Sequence, residues 1–175
     1  GLCHASCPQS LSEASALSEG WRVSTNSLGF NCDATGGSPM APFGSASGAY
    51  YTEADAPWFT FVGAAGTRLQ DSAPGYQKCG TYRTGWLRTK HPMLGQAPTA
   101  GTVCWQYPDD ECAFQQTVSV CSCSHDGGAT TVYYYRLPKP RVLCHAAYCS
   151  SRAPLPPLPP PPPPSSPPSM PPSPP

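Results

Sequence analysis

Between Trp58 and Leu137 several segments alternate apolar and polar residues with a period of two, the spacing of strands with one buried face. Thr102 to Trp105 and Thr117 to Cys123 follow this pattern, and Trp58 to Val62 form a short apolar strand closed by Gly63. Thr130 to Leu137 follow a turn at Asp126-Gly127-Gly128, so the strand ending at Cys123 and this one form a predicted hairpin. Pro138 and Pro140, which break a ladder, end it. Upstream the pattern is weaker. Leu11 to Leu17 predict a short helix opened by Ser10 or Ser12, and Trp21 to Val23 a short strand. Gly36 to Gly48 read as a long loop broken by Pro39 and Pro42.

The pattern stops after residue 150. From Pro154 to Pro175 only proline, serine, Leu155, Leu158 and Met170 occur, with unbroken prolines from Pro159 to Pro164. Each proline fixes φ and lacks an N–H, so the segment joins neither a helix interior nor a central strand. The predicted fold class is therefore mainly β, a disulfide-stapled antiparallel two-layer sandwich with long loops, followed by an extended polyproline II tail. Residues 1–150 form the head, with the loop-rich stretch 1–57 included, and 151–175 the tail. At about 3.1 Å per residue, the stretch from Pro154 to Pro175 extends to about 68 Å. A head of this size has a radius of gyration of about 15 Å, so the tail is longer than the body that carries it.

Composition adds a covalent frame. The ten cysteines are Cys3, Cys7, Cys32, Cys79, Cys104, Cys112, Cys121, Cys123, Cys144 and Cys149. Their even number, without zinc-finger spacing, points to disulfides formed in an oxidising compartment, with connectivity left open by the spacing. The chain has no isoleucine, so these bridges supplement a lean core. Only 11% of residues are charged and the formal net charge is zero. Without a basic stripe, nucleic acid is not an expected partner. No apolar run reaches the span of a membrane helix. No signal peptide stands at Gly1, the start expected of a processed chain. A sparsely charged surface has little protection from self-association.

Taken in order, these residues carry a resemblance: Trp58 to Gly63, Gly66-Thr67, Cys79 with Thr81, Gly85-Trp86-Leu87, His91-Pro92, and Gly101 before Val103-Cys104. Cys112, Val118, Val120-Cys121, Val132-Tyr133, Leu137 and the run Cys144 to Cys149 continue it, with Trp21-Arg22 and Cys32-Asp33 upstream. The set resembles the uromodulin-type cysteine-rich domains over most of residues 7–149. The resemblance implies a secreted, non-catalytic, disulfide-bonded β module found in extracellular polymers or receptors. It also implies a pairing of Cys7 with Cys121, Cys32 with Cys144, Cys79 with Cys149 and Cys104 with Cys112, leaving Cys3 for Cys123. That remainder fits Cys121 and Cys123 facing one side of a strand. Two departures stand out. One further cysteine before Cys79 and a doubled cysteine near Cys112 are missing. The N-glycan sequon that such domains carry before the matching His-Pro is also absent, with Arg88-Thr89-Lys90 before His91, so the glycan-decoy role is not carried over.

The tail resembles the hydroxyproline-rich glycoproteins of plant and green-algal walls and flagellar surfaces. That resemblance marks Pro156, Pro157, Pro159, Pro160, Pro161, Pro162, Pro163, Pro164, Ser165, Ser166, Pro167, Pro168, Ser169, Pro171, Pro172 and Ser173 as candidates for hydroxylation or O-glycosylation. Together the head and the tail predict a secreted structural glycoprotein of an extracellular matrix, cell wall or flagellar surface. Its partners are copies of itself and attached O-glycans, and the rod connects head to tail. The alternative is an adhesion or carbohydrate-binding module on a glycosylated stalk.

The remaining candidates are weighed by chemistry. Trp58, Trp86, Trp105 and Tyr134 are the aromatic residues proposed to stack on sugars or on a rod. In Tyr133-Tyr134-Tyr135, alternation sets Tyr133 and Tyr135 on one face and Tyr134 on the other, so some of the triplet is core. Cys121-x-Cys123-x-His125 with Cys144-His145 has metal-ligand chemistry, but an oxidising compartment favours disulfides, and no metal is predicted. Asp109-Asp110-Glu111 read as a solvated turn within the Cys104–Cys112 loop rather than a calcium site. His4, His91, His125 and His145 sit in no catalytic motif and no cofactor motif is present, so neither catalytic residues nor cofactors are expected.

Overall fold

The structure is a computed structural model, and it describes residues 1–27, 29–33, 53–142 and 145–152. The loop expected from Gly36 to Gly48 and the tail from Pro154 lie outside these residues.

The architecture is mainly β. Its strands are β1 (Ser15–Leu17), β2 (Trp58–Phe61), β3 (Arg68–Leu69), β4 (Arg83–Leu87), β5 (Thr99–Tyr107), β6 (Asp110–Cys123), β7 (Val132–Arg136), β8 (Ala146–Tyr148) and β9 (Ser150–Ser151). One curled sheet has the order β1-β2-β7-β6-β5-β4-β8, and β3 pairs with β9 in a small second sheet. The large sheet is antiparallel through its centre, with parallel pairs β1–β2 and β4–β8 at its two edges.

The predicted hairpin is β6–β7, in register from Ser119↔Arg136 to Cys123↔Val132. The alternating segment at Thr102 extends into β5, which returns through Pro108 and Asp109 into the long strand β6. Asp110 and Glu111 are thus strand residues and not a turn, because the ladder continues to Tyr107↔Asp110.

Two expectations near the N-terminus are corrected. The helix over Leu11–Leu17 is a single 3-10 turn, Leu11–Glu13, followed by β1. Pairing Ser15 to Leu17 with Phe59 to Phe61 buries Leu17 in the core, a tertiary gain that local helix preference does not match. The strand at Trp21–Val23 is also a 3-10 turn, Gly20–Arg22, which turns the Arg22 side chain inward. Val23 then makes a single parallel bridge to Ser150.

The main core lies on one face of the sheet and gathers Leu17, Phe59, Phe61, Leu69, Leu87, Val103, Trp105, Val118, Val120, Tyr135, Leu137 and Tyr148. Trp105 sits at its centre. The residue opposite it in the ladder is Gly85, and a Cβ there would come within 2.7 Å of the indole. Glycine at 85 is therefore what lets the ring lie flat on β4. The Trp105 indole N–H donates to Gln116 Oε1 at 2.8 Å, and the Gln116 amide donates onward to the Lys139 carbonyl at 2.9 Å, so the polar atoms of these two side chains are satisfied.

A second, smaller core lies on the opposite face of β6 and β7. It consists of Cys7, Cys121, Cys123 and Tyr134, with Cys3, Trp58 and Val132 packed against it. This explains why β6 alternates between exposed and buried from Ala113 to Val118 yet is buried on both faces from Val120 to Cys123. The N-terminal residues cover that end, held by hydrogen bonds between Leu2 and Ser124 in both directions.

Candidate interaction surface

The sulfur chemistry comes first, because it fixes what the surface rests on. Disulfides join Cys3 to Cys123, Cys7 to Cys121, Cys79 to Cys149 and Cys104 to Cys112. Cys32 is also disulfide-bonded, and its expected partner Cys144 lies outside the described residues. The sulfurs of Cys3, Cys7 and Cys123 lie within 4.8 Å of one another, but they belong to two neighbouring disulfides and offer no thiolate to a metal. His125, the third member of the candidate metal motif, meets the Tyr134 hydroxyl at 2.7 Å.

A buried ion pair ties the N-terminal segment to the sheet. Arg22 and Asp33 are both fully buried. The guanidinium donates to the Asp33 carboxylate through two nitrogens at 2.8 and 2.9 Å, and its Nε donates to Glu19 at 3.0 Å. Asp33 also accepts the backbone N–H of Tyr148 at 2.9 Å, and its own N–H donates to Ala146, so the clamp closes on β8. Burial alone lowers the arginine pKa, but the two carboxylates outweigh it and hold the group charged. The Trp21 ring lies 4.2 Å from the guanidinium carbon and covers its outer side.

His91, whose His-Pro pair marks the resemblance, is a structural residue. Its Nε2 lies 2.8 Å from the Tyr135 hydroxyl, and that oxygen accepts the Leu69 N–H at 3.0 Å. Burial, with Arg68 nearby, lowers the imidazole pKa to about 4, while Asp71 pulls the other way. Burial pushes the Tyr135 hydroxyl well above its usual range. The pair is thus neutral at physiological pH, with Tyr135 donating to His91.

The four aromatic residues expected to stack divide. Trp105 and Tyr134 are fully buried and present no ring face to a ligand, because one fills the main core and the other covers the disulfides. Trp58 and Trp86 are half-buried. Arg136 lies over the Trp58 ring at 5.0 Å, and the Trp86 indole donates to the Glu111 carbonyl at 2.9 Å. The structure does not bring the four together.

It assembles a different aromatic surface. Phe30, 66% exposed, lies 5.7 Å from Tyr82 and 5.4 Å from His145 between ring centroids. Tyr76 extends the row, 6.1 Å beyond Tyr82. Beside it is a groove of about 500 Å³ lined by Trp21, Asn26, Gly29, Asn31 and Gly80. Gly80 adopts φ of +63°, and a Cβ there would come within 3.1 Å of the Trp21 ring. Asn31 fastens the Phe30 loop to Gly80, donating to its carbonyl from the side-chain amide at 2.8 Å and the backbone at 3.1 Å. No sequence pattern announced this row, since its members come from three distant stretches. A phenylalanine two residues before Cys32 is the one local signal, and only the fold shows that it is exposed.

Known proteins place these features in context. A family described as a uromodulin-like domain matches residues 59–150, more than half of the chain. Mouse uromodulin is 26% identical over 144 residues, covering 82% of this chain and 18% of that protein. The rat pancreatic secretory granule membrane major glycoprotein GP2 is 28% identical over 100 residues, covering 57% of this chain and 18% of its own length. Its human counterpart is 31% identical over 93 residues, covering 53% of this chain and 16% of its own. The chain therefore spans less than a fifth of these relatives. Among the described residues, no helix is long and apolar enough to cross a membrane.

Proposed function

The chain belongs to the uromodulin-like domain family, and from that premise we propose that it is a non-catalytic structural subunit of an extracellular glycoprotein assembly. Head 1–150 and tail 151–175 are the two units of this reading. The tail, hydroxylated and O-glycosylated, is a stiff connector that joins one head to the next in an open, head-to-tail array. Disulfides throughout the head suit an oxidising, extracellular setting. A relative named as a secretory granule membrane glycoprotein accords with that setting. The location is a matrix, wall or flagellar surface.

The observation that carries the reading is the junction. Strand β9 is paired to β3, with the Thr67 N–H donating to Ser151 at 3.0 Å, and only Arg152 and Ala153 separate Ser151 from Pro154. A proline rod anchored this closely transmits the orientation of its head, which a loosely tethered stalk does not.

Negative-stain images of the native material test it. Regular filaments are expected, and they disappear when residues 154–175 are removed. Unmodified prolines by mass spectrometry, together with a monomer at high concentration, overturn the reading. The row of exposed Phe30 and half-buried Tyr82 and Tyr76 gives the second reading, a carbohydrate-binding module, its specific support. Binding of the full chain to a glycan array without filament formation selects it.

A further inference from the structure

We propose that the aromatic row of Phe30, Tyr82 and Tyr76 is the acceptor for the proline-rich segment, residues 154–175, of a second copy of this chain. The proposal rests on the head-to-tail reading above and names the surface that receives the rod.

A polyproline II strand presents proline rings and carbonyl oxygens but no N–H groups, so its receptor must offer aromatic faces and hydrogen-bond donors. The row offers both. Its rings are spaced 5.7 and 6.1 Å apart, close to the rise of two polyproline residues, about 6.2 Å. Tyr76 and Tyr82 carry phenolic hydroxyls, and Trp21, which lines the groove, carries an indole N–H, the donor types such a strand needs. His145 packs against the row, edge-on to Phe30 and tilted to Tyr82. The segment from Pro154 to Pro175 carries no charge and needs no charged partner.

The fold also argues for a second copy rather than the chain's own tail. Tyr82 and His145 stand together at the entry of the parallel pair β4–β8, where the Arg83 N–H donates to the His145 carbonyl at 3.0 Å. From there the chain runs through β8 and β9 and leaves at Arg152. Cys149 keeps it extended, hydrogen-bonded to Gly85 at 2.8 Å and Gln70 at 2.9 Å. Seven residues of extended chain set the exit at most about 23 Å from the row. Gly20 and Asn26 line both the groove and the pocket beside Ser151 and Arg152, so exit and groove are neighbours on the head. A rod of about 68 Å leaving there outreaches the head that carries it, so docking on a neighbouring copy uses its full length, as a heterologous, repeating contact does.

A labelled synthetic peptide of residues 154–175 is titrated into the full chain at concentrations below assembly, and anisotropy is read. Saturable binding is expected. Phe30→Ser, at an exposed position, weakens it at least tenfold, and Tyr82→Phe, which removes only the hydroxyl, weakens it several-fold. Met93→Ser, at a residue 71% exposed elsewhere, leaves it unchanged. Filaments are lost with Phe30→Ser. The proposal is overturned if the peptide does not bind, if Phe30→Ser binds it as tightly, or if free arabinose or galactose oligosaccharides displace it. It is also overturned if the row is shielded in a concentration-independent monomer. In the first two cases the head-to-tail reading still stands if removing residues 154–175 abolishes filaments. Filaments that persist without those residues overturn that reading itself.

Discussion

Tyr134 and Tyr135 are neighbours on β7, yet they belong to two cores built on different principles. Tyr135 points into the main core, packs edge-on to Phe61 and shares its hydroxyl with His91 and the Leu69 amide. Tyr134 points to the opposite face, onto the Cys7–Cys121 and Cys3–Cys123 bridges, and its hydroxyl meets His125. One core is held by apolar packing of residues from most of the strands, the other by covalent bonds drawing the N-terminus over a sheet end. Among the described residues no α-helix covers either face of the sheet, and this chain has few aliphatic residues with which to cover both. Cystine does for the smaller side what leucine and tryptophan do for the larger.

The sharpest way to break the contrast is Trp105→Ala. It removes the centre of the packed core and the closer of two donors to Gln116 Oε1, leaving only the Arg141 N–H, at a cost of about 3–5 kcal/mol. Urea unfolding of the oxidised protein is expected to show that loss. A cost under about 1 kcal/mol would mean the bridges alone set stability.

Removing the Cys7–Cys121 bridge by a double serine substitution opens a loop with a sequence separation of 114 residues. The expected cost is about 2–5 kcal/mol. Because Trp105 lies on the other face, its indole N–H, bonded to Gln116, should stay protected from hydrogen exchange while the N-terminal residues become accessible to protease. Loss of that protection under native conditions would show the two cores to be one cooperative unit.

The smallest effect is a pH dependence set by the Tyr135–His91 pair. His91 has its folded pKa lowered to about 4 from the ordinary 6.5. The unfolded chain therefore binds the proton more readily between these values, and stability rises with pH across that window. The contribution is complete above about pH 6.5 and is lost as pH falls towards about 4. His91→Gln, which still accepts from Tyr135, is expected to flatten the urea midpoint between pH 6.5 and 4 relative to the parent. Equal slopes in both proteins would refute the assignment.

The strands legible in the sequence are those that keep one face wet. β6 and β7 alternate and are joined by a glycine turn, so period and turn chemistry both point to the hairpin. β4 and β8 are not legible as strands. β8 is buried throughout, and β4 carries Gly85, so neither shows a clean alternation. β1 reads as helix along the chain because its three residues become a strand only when β2 lies beside them. Nothing local marks Arg22 as buried, since Asp33 meets it only once the chain has folded back. Trp105 and Tyr134 qualify for stacking by residue type, which does not say on which side of a sheet a ring is covered.

By itself the sequence determined the class of molecule. Short alternating strands, a cysteine frame and a proline-rich segment follow from residue chemistry and from spacing along the chain, and these act locally. The tertiary structure decided the parallel edges, the buried Arg22–Asp33 clamp and the row joining Phe30, Tyr76, Tyr82 and His145. Those depend on contacts between residues as much as 126 positions apart, as from Arg22 to Tyr148. Such contacts exist only after the backbone has closed its loops, so no local periodicity records them.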